Sequence, residues 1–285
     1  MIFLIANAPS ADQSAYVWCG AAARSAWPGL WAVAAALLMG AAYGAAWLRW
    51  GRGEKRARIG YFAAGLAVWS LTLSGPLETL ALDRLYSAYI LQQILIVTVV
   101  CPALVAGVAP WMLRPLLGSG LLRRAFGFVT RPGVSFAVFA CVFTSIHVPS
   151  FCNLVCQVHP FYHAVRLSLF VAGLLLWWPL ASPVAEFPRL SQPMQGLYLL
   201  GVMLVMTAVG APVTLAETVL YHFYSGGVHP LGLSPLEDQV LGGLLMWVVQ
   251  GIILTAAATI IFVRWLSGTQ RNLQVPAADS YRPRV

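Results

Sequence analysis

Charged residues are the rarest class in this sequence. Only 9% of its 285 residues are charged and 60% are hydrophobic, whereas soluble domains carry roughly 25% charged residues. The mean hydropathy is +0.78. This scarcity of charge excludes an ordinary soluble domain, because the surface of such a domain would have to be covered by apolar side chains. We therefore expect the chain to be an integral membrane protein in a lipid bilayer.

Acidic residues are scarcer than basic ones, and the formal net charge is +8. A basic excess is also a feature of proteins that bind nucleic acids. Here, however, the basic residues lie in short segments between long apolar runs, the pattern of membrane topology determinants. Residues 1–13 contain no basic residue, so the start lacks the pattern of a cleaved signal peptide. We expect no nucleic acid among the partners.

Seven apolar stretches of about 20 residues are long enough to cross a membrane as helices, and helix is the expected form because lipid cannot satisfy open strand edges. They are Trp31–Leu48, Gly60–Leu80, Ala88–Leu113, Val134–Ser150, His163–Pro183, Met194–Leu215 and Gln239–Leu266. The expected fold is all-α, a polytopic bundle of about seven transmembrane helices. Residues 1–26 form an outer segment, 27–267 the membrane domain and 268–285 a cytoplasmic tail.

The basic residues also predict the orientation of the bundle. All of the 17 except three fall in the first, third and fifth connections and in the tail. The opposite side, made of the other connections and the span ends beside them, carries most of the acidic residues, which are Asp12, Glu78, Asp83, Glu217, Glu237 and Asp238. The positive-inside rule then places the N-terminus outside and the C-terminus in the cytoplasm. The expected location is the bacterial plasma (inner) membrane.

Arg166 lies about one turn inside the fifth predicted span. An arginine in a membrane is costly unless its side chain reaches the interface or finds a partner. One interpretation is that Arg166 snorkels to the outer interface. The alternative is that it pairs with an outer-face carboxylate or with a cofactor propionate.

The densest cluster of metal-binding residue types joins the fourth and fifth spans. It contains His147, Cys152, Cys156, His159 and His163. Residues four apart on a helix share a face, and imidazole with thiolate suits Cu(I) or zinc. The pattern therefore indicates a metal site. The competing interpretation makes the histidines interfacial polar residues and the cysteines small packing residues.

Two further polar segments flank the third and last spans. Tyr89 and Gln93 share a face near the outer end of the third span, where tyrosine belongs to the interfacial belt and glutamine can bridge helices. Before the last span, Ser234 and Glu237 have the spacing of a capping box. That motif does not account for the following Asp238 and Gln239.

In sequence order, these segments resemble the multi-spanning CtaG-type cytochrome c oxidase assembly proteins over roughly residues 60–267. The resemblance rests on five motifs of this chain, of which the last is the most specific. They are Cys101-Pro with Pro110, His147-Val-Pro149, His159 and His163 before Trp177-Trp178-Pro179, Leu220-Tyr221-x-x-Tyr224, and Leu236-x-Asp238-Gln239 leading to Met246-Trp247.

The resemblance implies a non-enzymatic role in maturing a haem-copper oxidase, with copper as the possible cofactor and oxidase subunits as partners. Its functional positions here would include Tyr221, Tyr224, Asp238 and Gln239. The chain departs from the family where a first histidine pair is usual, because it has Tyr89 and Gln93 there. Cys152 and Cys156 are candidates to replace the missing ligands.

Two other functions fit the same residues. One is a metal-free accessory or structural subunit beside a respiratory oxidase, which the missing histidine pair favours. The other is haem ligation by His147 and His163, with Arg166 meeting a propionate. A channel or transporter is disfavoured, because the sequence has no inverted repeat and no deep carboxylate of the kind that proton relays use.

Overall fold

The computed structural model describes residues 29–51, 53, 56–83, 85–114, 118–156, 159–184, 186–187, 189–226 and 232–273, without the side chains at 83, 156, 159–160 and 268–273. These residues are almost entirely helical, and no strand occurs among them. The helices are α1 Leu30–Trp50, α2 Ala57–Thr72, α3 Gly75–Asp83, α4 Tyr86–Gly107, α5 Gly120–Val129, α6 Pro132–Ile146, α7 Pro149–Cys156, α8 His159–Ala181, α9 Gln192–Thr214 and α10, which starts with Pro235–Leu244, passes through Leu245–Val249 and continues as Gln250–Leu273.

Five of these helices are long and apolar enough to cross a membrane: α1, α4, α9, most of α8 and the first 33 residues of α10. A sixth span is present if α5 and α6, which are bent by 65° at the break between them, are taken together. The all-α membrane fold is confirmed. The count of seven spans and the orientation of the bundle stay predictions.

The predicted second span is not one continuous helix. The structure divides Gly60–Leu80 between α2 and α3, with a break at Leu73 and Ser74. Gly75 follows the break with a φ of +72°, a conformation that glycine adopts at little steric cost. The division turns α3 into a separate short helix, and α3 carries an acidic side chain into the bundle.

The third predicted span is α4, and it is irregular, which fits the presence of Pro102 within it and Pro110 just after it. A π-helical turn occupies Ile96–Val100, and the helix ends at Gly107. Neighbouring side chains bind carbonyls in this region: Trp177 Nε1 donates to Val97 O (2.6 Å) and Tyr43 Oη donates to Gly107 O (2.9 Å). Such contacts are how irregular backbone is tolerated within a membrane.

The helix α4 lies at the centre of the bundle, since 67% of an apolar 18-residue stretch of it is buried. It packs closely against α10 at Gly242, and the adjacent Gly243 of α10 faces α9. A Cβ at Gly242 would lie 2.5 Å from the Tyr86 ring, and one at Gly243 would lie 2.9 Å from Thr214 N. Two adjacent small residues in an apolar run predict a close helix approach, and Gly242 and Gly243 confirm that prediction.

Candidate functional site in the buried polar centre

A charged pair lies inside the bundle between α3 and α8. Arg166 Nη1 and Nη2 each lie 2.8 Å from an oxygen of Glu78, and the two side chains are 7% and 1% exposed. Gln92 of α4 completes the group: its Nε2 donates to Glu78 (2.8 Å) and to Thr72 O (2.7 Å), and its Oε1 accepts from Arg166 (3.0 Å). Tyr162 Oη accepts a further bond from Arg166 (3.4 Å). We call Glu78, Gln92, Tyr162 and Arg166 the ion-pair network.

Of the two interpretations of Arg166, snorkelling is wrong and pairing with a carboxylate is confirmed. The Arg166 guanidinium can be buried because it forms two parallel hydrogen bonds with the Glu78 carboxylate, and these offset the cost of burying its charge. The sequence held a signal for the partner, since Glu78 lies inside a predicted span and is as costly there as Arg166. Glu78 is a buried carboxylate, but its ion pair makes it unlike the unpaired acids of proton relays.

Asp238 binds the first turn of α4 from the neighbouring helix α10. Its Oδ2 accepts from Tyr86 N (2.6 Å), and its Oδ1 accepts from Ser87 N (3.2 Å) and from the Ser87 hydroxyl. The first backbone N–H groups of a helix have no partner within the helix and carry partial positive charge. The Asp238 carboxylate supplies acceptors for these N–H groups and a negative charge beside their partial positive charge. Asp238 is therefore a capping residue that acts between helices.

Gln239 anchors the connection that precedes α10. Its Oε1 accepts from Leu220 N (2.6 Å), and its Nε2 donates to Thr218 O (3.1 Å). The Ser234–Glu237 capping box is confirmed, with bonds of 2.7 and 3.3 Å between the two residues. The pair Asp238 and Gln239, which the capping box did not explain, joins α10 to α4 and to the 215–221 segment.

A cluster of stacked tyrosines lies beside Asp238. Tyr86 stacks on Tyr221 with ring centroids 4.1 Å apart, and Tyr224 lies 5.7 Å from Tyr86 and 6.0 Å from Tyr89. Tyr221 Oη donates to His147 O (2.8 Å). Burial raises the pKa of the Tyr221 phenol, so this group stays protonated and keeps its donor. Tyr89 of α4 and Tyr221 and Tyr224 of the segment before α10 are thus core residues.

His147 follows the last residue of α6 and is buried. Its Nδ1 lies 2.6 Å from Phe143 O; a carbonyl only accepts, so Nδ1 carries the proton and Nε2 keeps a lone pair in the neutral ring. Neither Nε2 of His147 nor Oε1 of Gln93 has a hydrogen-bond partner among the described residues. Both residues line one small cavity of about 10 Å³, together with Met246 and Gln250. We call it the His147 cavity.

His163 lies elsewhere, in the wall of a cavity of about 380 Å³. Its ring contacts Trp31 edge-on at 5.4 Å and Tyr162 at 5.6 Å. We call this space the aromatic cavity; it is lined by Trp31, Trp69, Leu73, Ile96, His163, Arg166, Leu167 and Phe170. The structure thus places His147 and His163 at two separate cavities.

Cys152 is a buried residue of the main apolar cluster, next to the tyrosines. In the described part of the chain, no group of three His, Cys, Asp or Glu side chains is placed to hold a metal ion. The side chains of Cys156 and His159 lie outside the described residues. A metal site formed by all five residues therefore stays a prediction, and the packing interpretation fits Cys152.

Residues 41–268 match the family described as the cytochrome c oxidase caa3 assembly factor family. No curated protein and no solved structure matches the chain. The match covers α2–α9 completely and α10 almost to its end. It includes the ion-pair network, the Asp238 cap, the His147 cavity and every residue that lines the aromatic cavity except Trp31.

Proposed function

Because the chain belongs to the cytochrome c oxidase caa3 assembly factor family, we propose that it assists the assembly of a haem-copper oxidase within the membrane, without catalysing a reaction. The family match over residues 41–268 is the observation that carries this proposal. The bundle suits a partner that is itself embedded in lipid, since α1, α8, α9 and α10 each have several exposed large apolar residues.

Deletion of the chain's gene tests the proposal. We expect the membranes to retain the oxidase polypeptides but to lose most of the assembled oxidase, seen in its haem absorption spectrum and in cytochrome c oxidation. The wild-type chain should restore both. Normal amounts of spectrally mature oxidase in the deletion strain would contradict the proposal.

We further propose that the protein handles copper during this assembly. The lining of the His147 cavity supports this more specific role. His147 Nε2 offers a lone pair, Gln93 Oε1 offers another, and Met246 contributes a thioether to the same wall. Two buried acceptors in one cavity can both be satisfied by a water that donates twice or by a cation. Imidazole and thioether are ligands that Cu(I) prefers. When bound, copper would be cargo exchanged between soft ligands.

The chain's own residues hold this site ready. The bond from Nδ1 to Phe143 O fixes the imidazole tautomer and ring orientation, as is usual for metal-binding histidines. Tyr221 binds the carbonyl of the same residue and thereby links His147 to the 221–226 segment. The lining also excludes bulk water, because Ile90, Ile94, Val97 and Phe143 complete it.

Metal analysis of the protein purified with copper distinguishes the possible sites. We expect His147→Leu and Met246→Leu to lower the copper content, and His163→Leu, a matched change at the other cavity, to leave it unchanged. A loss of copper seen only on replacing His159 and His163 together would instead assign copper to the cluster of cysteines and histidines that joins the fourth and fifth predicted spans. A wild-type protein without copper would remove copper handling from the function.

A metal-free accessory subunit is the second candidate. Tyr89 and Gln93 stand where the family resemblance leads us to expect histidines, and both are buried. This candidate predicts that the chain co-purifies in equal amounts with the mature oxidase. Haem binding is less well supported, since His147 and His163 line different cavities and Arg166 is already bound to Glu78. A purified protein with no Soret band would exclude it.

A further inference from the structure

The aromatic cavity has the size and lining of a ligand site. Its volume of about 380 Å³ falls in the lower part of the range for small-molecule pockets, about 300–1,000 Å³. Trp69 and Phe170 form one edge-on pair at 4.4 Å, and Trp31 and His163 form another at 5.4 Å. Apolar walls with a few polar groups are typical of sites that bind mainly apolar molecules.

Two of the polar residues that line this cavity, Arg166 and Trp69, carry N–H donors, and His163 is the third polar residue of the lining. Four N–H groups of Arg166 are bound by Glu78, Gln92 and Tyr162, and no residue in the described ranges accepts from the fifth, on Nε. The indole N–H of Trp69 is also buried without a partner in the described part of the chain. A buried donor left without an acceptor costs about 1–3 kcal/mol. A ligand that brings an acceptor into the cavity would remove that cost.

The charge of the cavity decides which acceptor fits. Glu78 neutralises Arg166 through two contacts of 2.8 Å, so the pair presents a dipole and no net charge. An anionic head group would approach the Glu78 carboxylate across a medium of low dielectric, where like charges repel strongly. A neutral carbonyl oxygen avoids this repulsion and still accepts from an N–H group.

The cavity also has a lipid-side wall. Leu167 is 58% exposed and Trp31 is 46% exposed, and both line the cavity. The opposite wall is closed by the buried Leu73 and Ile96. A ligand dissolved in the bilayer therefore has an entry on the side of α1 and α8.

From these observations we propose that the aromatic cavity binds a neutral membrane amphipath, with its carbonyl oxygen at Arg166 and Trp69 and its apolar body between the aromatic side chains. Two kinds of molecule share this chemistry: an isoprenoid quinone and the ester region of a membrane lipid. The inference is independent of copper handling, because His147 does not line this cavity.

Chemical analysis of what co-purifies with the protein tests the proposal. The full chain is purified in detergent and extracted with organic solvent; a quinone is identified by the change of its ultraviolet spectrum on reduction, and a lipid by its mass. We expect about one molecule of one of them per chain in the wild type. Leu167→Phe, which narrows the cavity, should lose most of it, whereas Leu204→Phe should not. Leu204 is a matched control because it is 63% exposed on α9 and does not line the cavity.

A titration with decylubiquinone, followed by quenching of tryptophan fluorescence, separates the two sources. Saturable quenching in the wild type, weakened in Leu167→Phe, assigns the site to a quinone; a retained lipid of defined mass that decylubiquinone does not displace assigns it to a lipid ester. Trp69→Phe keeps the aromatic wall but removes the N–H, so we expect about three- to tenfold weaker binding. Equal ligand contents in wild type, Leu167→Phe and Leu204→Phe would overturn the proposal.

Discussion

The ion-pair network and the His147 cavity are both buried, yet they differ in whether their buried acceptor atoms receive hydrogen bonds. Every oxygen of Glu78 and both oxygens of Asp238 accept hydrogen bonds, whereas His147 Nε2 and Gln93 Oε1 accept none within the described residues. Burial without a partner is costly, so carboxylates whose oxygens are all hydrogen-bonded indicate a structural role. The two acceptors of the His147 cavity lack a donor or a cation among the described residues.

The largest expected effect comes from breaking the ion pair. Arg166→Leu leaves the Glu78 carboxylate buried without its cation, and we expect a loss of about 3–5 kcal/mol in the free energy of unfolding. The double variant with Glu78→Leu should recover much of this, because no charge is then left unpaired. Unfolding in detergent by titrated denaturant measures both. Arg264→Leu, at an exposed arginine, is the control and should change stability by less than about 0.5 kcal/mol.

Removing the cap between α10 and α4 should have the next largest effect. Asp238→Ala deprives Tyr86 N and Ser87 N of a charged acceptor, a loss of about 1.5–3 kcal/mol. Hydrogen exchange at the start of α4 should accelerate in the same variant. Glu237→Gln, at an exposed neighbour on the same turn, should leave that exchange as it is. Unchanged protection of α4 in Asp238→Ala would contradict the capping role.

Substitutions at the His147 cavity should change the free energy of unfolding much less. His147→Leu loses the bond to Phe143 O but also removes a buried lone pair that lacks a partner, so we expect a change within about 1 kcal/mol. The same variant should lose bound copper if the cavity holds it. A destabilisation as large as that of Arg166→Leu would show that His147 is a structural residue like those of the ion-pair network.

The two adjacent glutamines give the finest comparison and the smallest effect. Gln93→Met removes an unpartnered carbonyl oxygen, and we expect stability to stay the same or to rise slightly. Gln92→Met removes the bonds to Glu78, Arg166 and Thr72 O, and we expect a loss of about 1–3 kcal/mol. Thermal unfolding of both variants in one detergent measures the difference. Equal melting temperatures would contradict the division between satisfied and unsatisfied positions.

Local patterns in the sequence were sufficient for several features. Runs of apolar residues predicted the helical membrane fold, the spacing of Ser234 and Glu237 predicted the capping box, and Gly242–Gly243 predicted a close helix contact. Each depends on neighbours in the chain or on the composition of one segment. The continuous second span failed for the same reason, since hydropathy alone did not register the backbone break before Gly75.

The sequence by itself determined that this protein lies in lipid as packed helices, and that Arg166 inside an apolar stretch needed either a partner or access to the interface. Only the tertiary structure decided between these two and identified the partners. Asp238 binds Tyr86 N across 152 positions and Arg166 binds Glu78 across 88. It also separated His147 from His163, which the sequence had grouped together. The physical reason is that hydrogen bonds between helices depend on how whole helices pack, while sequence spacing fixes only which residues share a face of one helix.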